Sequence, residues 1–173
     1  MTRRIAIPIL FLAISLSFQA RAQNAELFFK AAGSPSNPKV STSWNKYFTY
    51  EGIMDFCRKL AKEHPDLVTL ETAGKSYKGR DVIAIVISEK KGLSPDKKPG
   101  FYIDGNIHSN EIQGSDMALY TAWYLCEMYK TNSFINQLLK DKVFYILPTI
   151  NPDARQYFMD EPNSTHSPRS GLV

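Results

Sequence analysis

Residues 143–149 (VFYILPT) are almost continuously apolar, and this run limits the fold more than any other feature of the chain. It is far too short to cross a membrane as a helix. It also lacks the alternation of a strand with one wet face. It reads as a strand buried on both faces, in the middle of a sheet that helices must cover. Partner strands and covering helices must therefore come from the rest of the chain.

Three further strands are expected. Residues 67–72 and 81–88 (DVIAIVIS) are rich in β-branched side chains and flank the Gly-bounded turn Gly74-Lys75-Ser76-Tyr77-Lys78-Gly79-Arg80, so they read as an antiparallel hairpin. Residues 101–107 (FYIDGNI) form the third. Residues 49–64 have Thr49 as a cap, Ile53, Phe56, Leu60 and Ala61 on one face, and Pro65 as a stop, which predicts an amphipathic helix. His64 lies in its last turn, where a cation suits the helix dipole. Residues 112–130 are apolar nearly all round and predict a largely buried helix, and residues 134–140 add a helical turn. Residues 89–99 read as a solvated, charged connection.

The strand–helix–strand passage from residues 101–107 to 143–149 makes those two strands parallel, with a right-handed crossover. The expected fold class is α/β, a mixed, mostly parallel open sheet with flanking helices, antiparallel at one edge. The last 22 residues carry Pro152, Pro162 and Pro168 in a polar stretch and add no expected element. With two good helices, and strand 143–149 left without a neighbour on one side, the domain reads as truncated.

A length of 173 residues is enough for one domain. Residues 1–22 read as a secretory signal peptide: Arg3-Arg4, the apolar run 5–18, then Ala20-Arg21-Ala22. An uncleaved anchor is the alternative. The protein is thus expected to be secreted or periplasmic, with no membrane span in the mature chain. Residues 23–45 read as a linker or N-terminal arm, followed by the folded domain at 46–173. The net charge of +4 falls to +1 once Arg3, Arg4 and Arg21 are removed, which leaves no electrostatic footprint for nucleic acid. Cys57 and Cys126 both fall in helical patterns. They read as buried free thiols, although an exported protein could pair them.

His108 and Glu111 are the candidate metal ligands. They stand where a strand ends and a helix begins, the place where open α/β sheets bind ligands. An imidazole nitrogen and a carboxylate three residues apart can meet one ion. The bland alternative is an exposed His with a Glu favoured by the helix N-terminus.

Several ordered blocks then resemble the zinc carboxypeptidase family, the carboxypeptidase A-like metallopeptidases. They are the helix near residues 50–65, the turn Gly74 to Arg80, Asp104-Gly105-Asn106-Ile107-His108-Ser109-Asn110-Glu111, and Pro148-Thr149-Ile150-Asn151-Pro152-Asp153. The resemblance implies that His108 and Glu111 bind one Zn2+. It implies a third ligand, a His, and a general-base Glu downstream of Val173, so that no catalytic base lies in this chain. Peptide or protein C-termini are the implied substrates. An Arg after the Asn-Pro-Asp block assists the oxyanion in that family, and Arg169 is the best match, as a substrate-binding residue. His166 reads as a loop residue. Ala154 stands where the family usually has Gly. The Asn-Pro-Asp turn itself reads as structural, and Arg80 as a turn residue.

The implied function is a secreted zinc-dependent metallocarboxypeptidase, incomplete here, with weak zinc binding and no turnover from residues 1–173 alone. Two alternatives stand beside it: a non-catalytic secreted binding module on part of this fold, and a related zinc amidohydrolase.

Overall fold

The computed structural model describes residues 34–161. The expected signal peptide, His166 and Arg169 lie outside the described residues. Four strands, β1 (Val68–Lys75), β2 (Asp81–Ile87), β3 (Gly100–Asp104) and β4 (Val143–Leu147), form one sheet in the order β1-β2-β4-β3. Four helices, α1 (Tyr50–Glu63), α2 (Ile112–Met128), α3 (Ser133–Asp141) and α4 (Pro152–Asp160), accompany it.

The mixed α/β fold is the one expected. Of the described pairings, β3–β4 is parallel, while β1–β2 and β2–β4 are antiparallel. The run at residues 143–149 does hold the middle of the sheet. It has a strand on each side, so the neighbourless position expected for β4 belongs instead to β3, at the edge of the described sheet. The crossover through α2 carries β4 inward to lie between β2 and β3.

Local chemistry accounts for the elements. Thr49 caps α1, its Oγ1 accepting from Gly52 N at 3.1 Å, a bond of the kind that contributes about 1 kcal/mol. Ile53, Phe56, Cys57 and Leu60 then face the core. Each large aliphatic side chain wholly removed from water contributes about 1.5–3 kcal/mol. The β1–β2 hairpin turns at Gly79, whose φ of 82° suits a residue without a Cβ. A bulge between Thr72 and Gly74 lets β1 continue to Lys75, beyond the expected end at Thr72.

Residues 34–45 lie against the domain as an irregular, repeatedly bent segment. Val40 is buried, and Trp44 meets Phe48, Phe56, Tyr120 and Trp123 edge-on at centroid distances of 5.0–5.8 Å. Glu127 fastens this arm: its carboxylate accepts from Lys39 N and Val40 N, both at 2.8 Å. His64 is the C-cap of α1, and its ring is buried against Glu127, Nε2 to Oε1 3.0 Å. A carboxylate partner in the interior, more than the helix dipole, accounts for its placement.

Three expectations are corrected. Residues 101–107 do not continue as a strand past Asp104, because Asn106 takes a left-handed φ of 58° and turns the chain away. The proline-rich stretch after residue 150 contains α4: Asn151 Oδ1 accepts from Ala154 N at 3.2 Å, and Pro152 occupies the first turn, where its missing N–H costs nothing. The 89–99 connection is not solvated throughout. Lys98 is buried, its ammonium donating to Ser88 Oγ and Glu89 O at 2.8 Å and to Leu139 O at 3.3 Å.

Cys57 and Cys126 are buried and free. Burial pushes the Cys57 thiol up to about 12 and raises that of Cys126 as well, so neither is a thiolate nucleophile at neutral pH.

Candidate metal centre

The parallel strands β3 and β4 run side by side and end together. Beyond their carboxyl ends the chain forms two adjoining loops, residues 105–111 and 148–151. They are laced by backbone bonds: Gly105 N–H donates to Leu147 O and Ile150 N–H to Gly105 O, both at 3.1 Å. Asn151 Nδ2 donates to Ile107 O at 3.0 Å, so the capping residue of α4 also steadies the first loop.

Gly105 is required at this junction. A Cβ there would stand 2.7 Å from the carbonyl carbon and oxygen of Gly114 and 2.9 Å from Ser115 N. The end of β3 thus lies directly on the first turn of α2, and Glu111 stands at the N-cap position of that helix.

His108 and Glu111 converge on one another. His108 Nδ1 lies 2.9 Å from Glu111 Oε1. Their side chains are 28% and 57% exposed, so the pair opens to solvent while its loop is held from beneath. Among the described residues no cluster of three or more metal-ligating side chains occurs. The structure therefore brings together the two expected ligands. Arg169, the expected substrate contact, lies outside the described residues.

The Asn-Pro-Asp block is bonded to distant elements. Beside the bonds of Asn151, the Asp153 carboxylate accepts from Ser76 Oγ at 3.0 Å, Lys78 N at 2.8 Å and Arg80 Nη1 at 2.6 Å. Burial works to raise its pKa, but these three donors outweigh it and hold the carboxyl below its usual value. The Gly74–Arg80 turn is in this way pinned to the start of α4, and Arg80 also lies over the Tyr50 ring, 5.8 Å from its centroid.

Sequence reading missed Arg155. Its side chain is wholly buried beneath the 105–111 loop. Nε donates to Phe48 O at 2.9 Å, and Nη2 donates to the same carbonyl. Nη1 donates to Asn106 Oδ1 at 3.1 Å and to Ile112 O at 3.0 Å. Asp116 Oδ1 stands 3.8 Å from Nη2. Burial raises the Asp116 carboxyl, with Arg155 and the Phe48 N–H opposing it, and burial lowers the Arg155 pKa. The only sequence signal for Arg155 was its place four residues after the helix cap Asn151, one turn into a helix that had not been expected.

The zinc carboxypeptidase family pattern matches residues 53–170. The chain is 32% identical to carboxypeptidase D of Mus musculus over 111 residues, which cover 64% of this chain and 8% of that protein. It is 34% identical to carboxypeptidase B of Astacus astacus over 120 residues, covering 68% and 37%. Its fold superposes on thrombin-activatable fibrinolysis inhibitor with a TM-score of 0.62 at 25% identity, covering 70% of this chain and 30% of that one. For carboxypeptidase A from Helicoverpa armigera the TM-score is 0.60 at 27% identity, covering 75% and 30%. The chain thus spans between 8% and 37% of the length of these relatives.

Proposed function

This chain belongs to the zinc carboxypeptidase family, and from that premise we propose that it supplies part of the catalytic domain of an exported zinc metallocarboxypeptidase, which removes C-terminal residues from peptides. The observation that carries this reading is the 2.9 Å approach of His108 Nδ1 to Glu111 Oε1 beyond the carboxyl ends of β3 and β4.

The donor set fits the metal. An imidazole nitrogen and a carboxylate oxygen are both zinc ligands, and one ion can be shared by two donors that already meet. His108 and Glu111 would hold the ion on the solvent-facing side of their loop, and zinc there would supply polarisation of a scissile carbonyl and a bound water of lowered pKa. The loop that carries them resists displacement because Gly105, Asn106 and Ile107 are each tied to neighbouring elements. A catalytic zinc takes three protein ligands, so the remaining ligand, like the general base, comes from outside residues 34–161. Arg169 takes the role of the cation that meets the substrate. Export rests on the residue pattern at positions 1–22, which would place the enzyme in a secreted or periplasmic setting.

Equilibrium dialysis of the full chain against Zn2+ tests the reading, with His108→Ala and Glu111→Ala alongside. One bound ion per chain is expected. Each variant should weaken binding by more than the roughly 10- to 100-fold typical of losing a group that only supports a ligand. Unchanged affinity in both folded variants sinks the assignment. Release of the C-terminal residue from a model peptide, measured on the protein as secreted by its own cells, tests the reaction.

A further inference from the structure

A wholly buried guanidinium needs a reason. Moving an ion of this kind out of water costs several kcal/mol, and a buried ion pair is often no more stabilising than an apolar replacement. The Arg155 guanidinium does not form a close pair in return, since its carboxylate neighbour Asp116 is at 3.8 Å. Its short bonds go to Phe48 O, Asn106 Oδ1 and Ile112 O. The last two are informative, because Asn106 precedes and Ile112 follows the segment that bears His108 and Glu111.

Asn106 passes the restraint onward. Its Oδ1 accepts from Arg155 and from Ser115 Oγ at 3.4 Å, while its Nδ2 donates to His108 O at 2.6 Å and to Ser109 O at 3.3 Å. Arg155 has donors only, so the amide cannot reverse without setting two donors against each other. This matters because Asn106 holds a φ of 58°, a region that side-chain-bearing residues enter at a cost of about 1–3 kcal/mol and keep only when their surroundings insist. Arg155, together with Ser115, thus fixes the Asn106 side chain whose amide bonds the His108 and Ser109 carbonyls across the turn.

We propose that Arg155 is a positioning residue for the metal centre: one planar fork grips the ligand loop on both sides of the His108–Glu111 pair and holds the two donors in register. The proposal rests on the reading that His108 and Glu111 bind zinc.

The test measures Zn2+ affinity of the full chain by chelator competition, for wild type, Arg155→Met, Arg155→Lys and, as a control, Leu139→Ala. Leu139 is a core side chain with no bond to the ligand loop or to Arg155, so its loss lowers the melting temperature without touching the fork. Arg155→Met should weaken zinc binding about 10- to 100-fold. Arg155→Lys, which keeps the charge but has one nitrogen for the three acceptors Phe48 O, Asn106 Oδ1 and Ile112 O, should recover part of the loss. Leu139→Ala should melt earlier yet bind zinc as wild type does. A folded Arg155→Met with wild-type affinity overturns the proposal. If Arg155→Met does not fold, Arg155→Lys decides the matter, and unchanged affinity there overturns the proposal too. If neither folds, Arg155 serves the whole fold and the proposal fails. Failure of the underlying reading looks different, since His108→Ala and Glu111→Ala would then bind zinc normally.

Discussion

Asp153 and Arg80 meet at 2.6 Å across 73 residues of sequence, and through them the hairpin turn of β1 and β2 is bound to the first turn of α4. The Asp153 side chain is 2% exposed, and Arg80 is 26% exposed. Asp153→Ala removes the acceptor of all three donors at once. The Arg80 end can be partly rehydrated, so the loss is expected near 2–3 kcal/mol, the scale of hydrogen bonds to a charged group. Urea unfolding of the variant against wild type measures it. A change below about 0.5 kcal/mol, the range of ordinary surface substitutions, would contradict the tie.

Acid sensitivity follows from the same carboxylate. The folded-state pKa of Asp153 lies below the ordinary value, so as pH falls the unfolded chain takes up this proton first. Its contribution is complete above about pH 3.9 and is lost as pH falls toward the folded pKa. Asp116 behaves in the opposite sense. Its carboxyl is raised chiefly by burial, so the folded chain binds that proton at higher pH, and stability is lost as pH rises from the ordinary value through the raised one. In melting curves taken across the acid range, Asp153→Asn should flatten the limb below about pH 4, and Asp116→Asn should remove a decline just above it. Parallel curves for either variant and wild type refute the corresponding assignment.

Gly105→Ala places a methyl group against backbone rather than against a side chain that can swing aside. Destabilisation of at least about 2 kcal/mol is expected, together with weakened zinc binding, because β3 and α2 must separate around the ligand loop. Gly114→Ala, where the nearest atom is at 3.3 Å, should be milder. Thermal melting of the two variants ranks them, and the reverse order would show that the junction yields.

Glu127 holds the N-terminal arm with two backbone bonds and a buried histidine. Replacing it with alanine strands the His64 ring and two amides, a loss of about 3–5 kcal/mol by comparison with other broken buried pairs. Hydrogen exchange offers a local check. The Lys39 and Val40 amides should lose protection in Glu127→Ala, whereas β4 amides keep theirs until global unfolding. Retained protection at Lys39 and Val40 would mean that the arm is held by other contacts, such as Val40 O with Trp123 Nε1 at 2.8 Å.

Much of this architecture is legible in the sequence. An apolar stripe with the Thr49 cap and the Pro65 stop located α1, an apolar run long enough for a buried helix located α2, and patterning marked the hairpin and the buried run of β4. The order strand–helix–strand was enough to make β3 and β4 parallel, because the handed crossover leaves little choice. Residue types and spacing also picked out His108 and Glu111, which the fold does bring together. These are properties of short segments, and local propensity and patterning carry them.

Other features were decided only when distant segments met. The helix α4 was hidden by its prolines, although Asn151-Pro152-Asp153 is a sound helix start once the carboxylate of Asp153 has partners 73–77 residues away. The position of β4 between β2 and β3 depends on how the crossover packs, which no single segment encodes. Lys98 and Arg155 look like surface cations in the sequence and are buried cations in the fold, because the acceptors that make burial tolerable are backbone carbonyls of other elements. A backbone carbonyl carries no residue-type signature. Sequence by itself determined most of the elements and which two side chains are candidate ligands; tertiary structure decided α4, the strand order and what holds those two side chains in place.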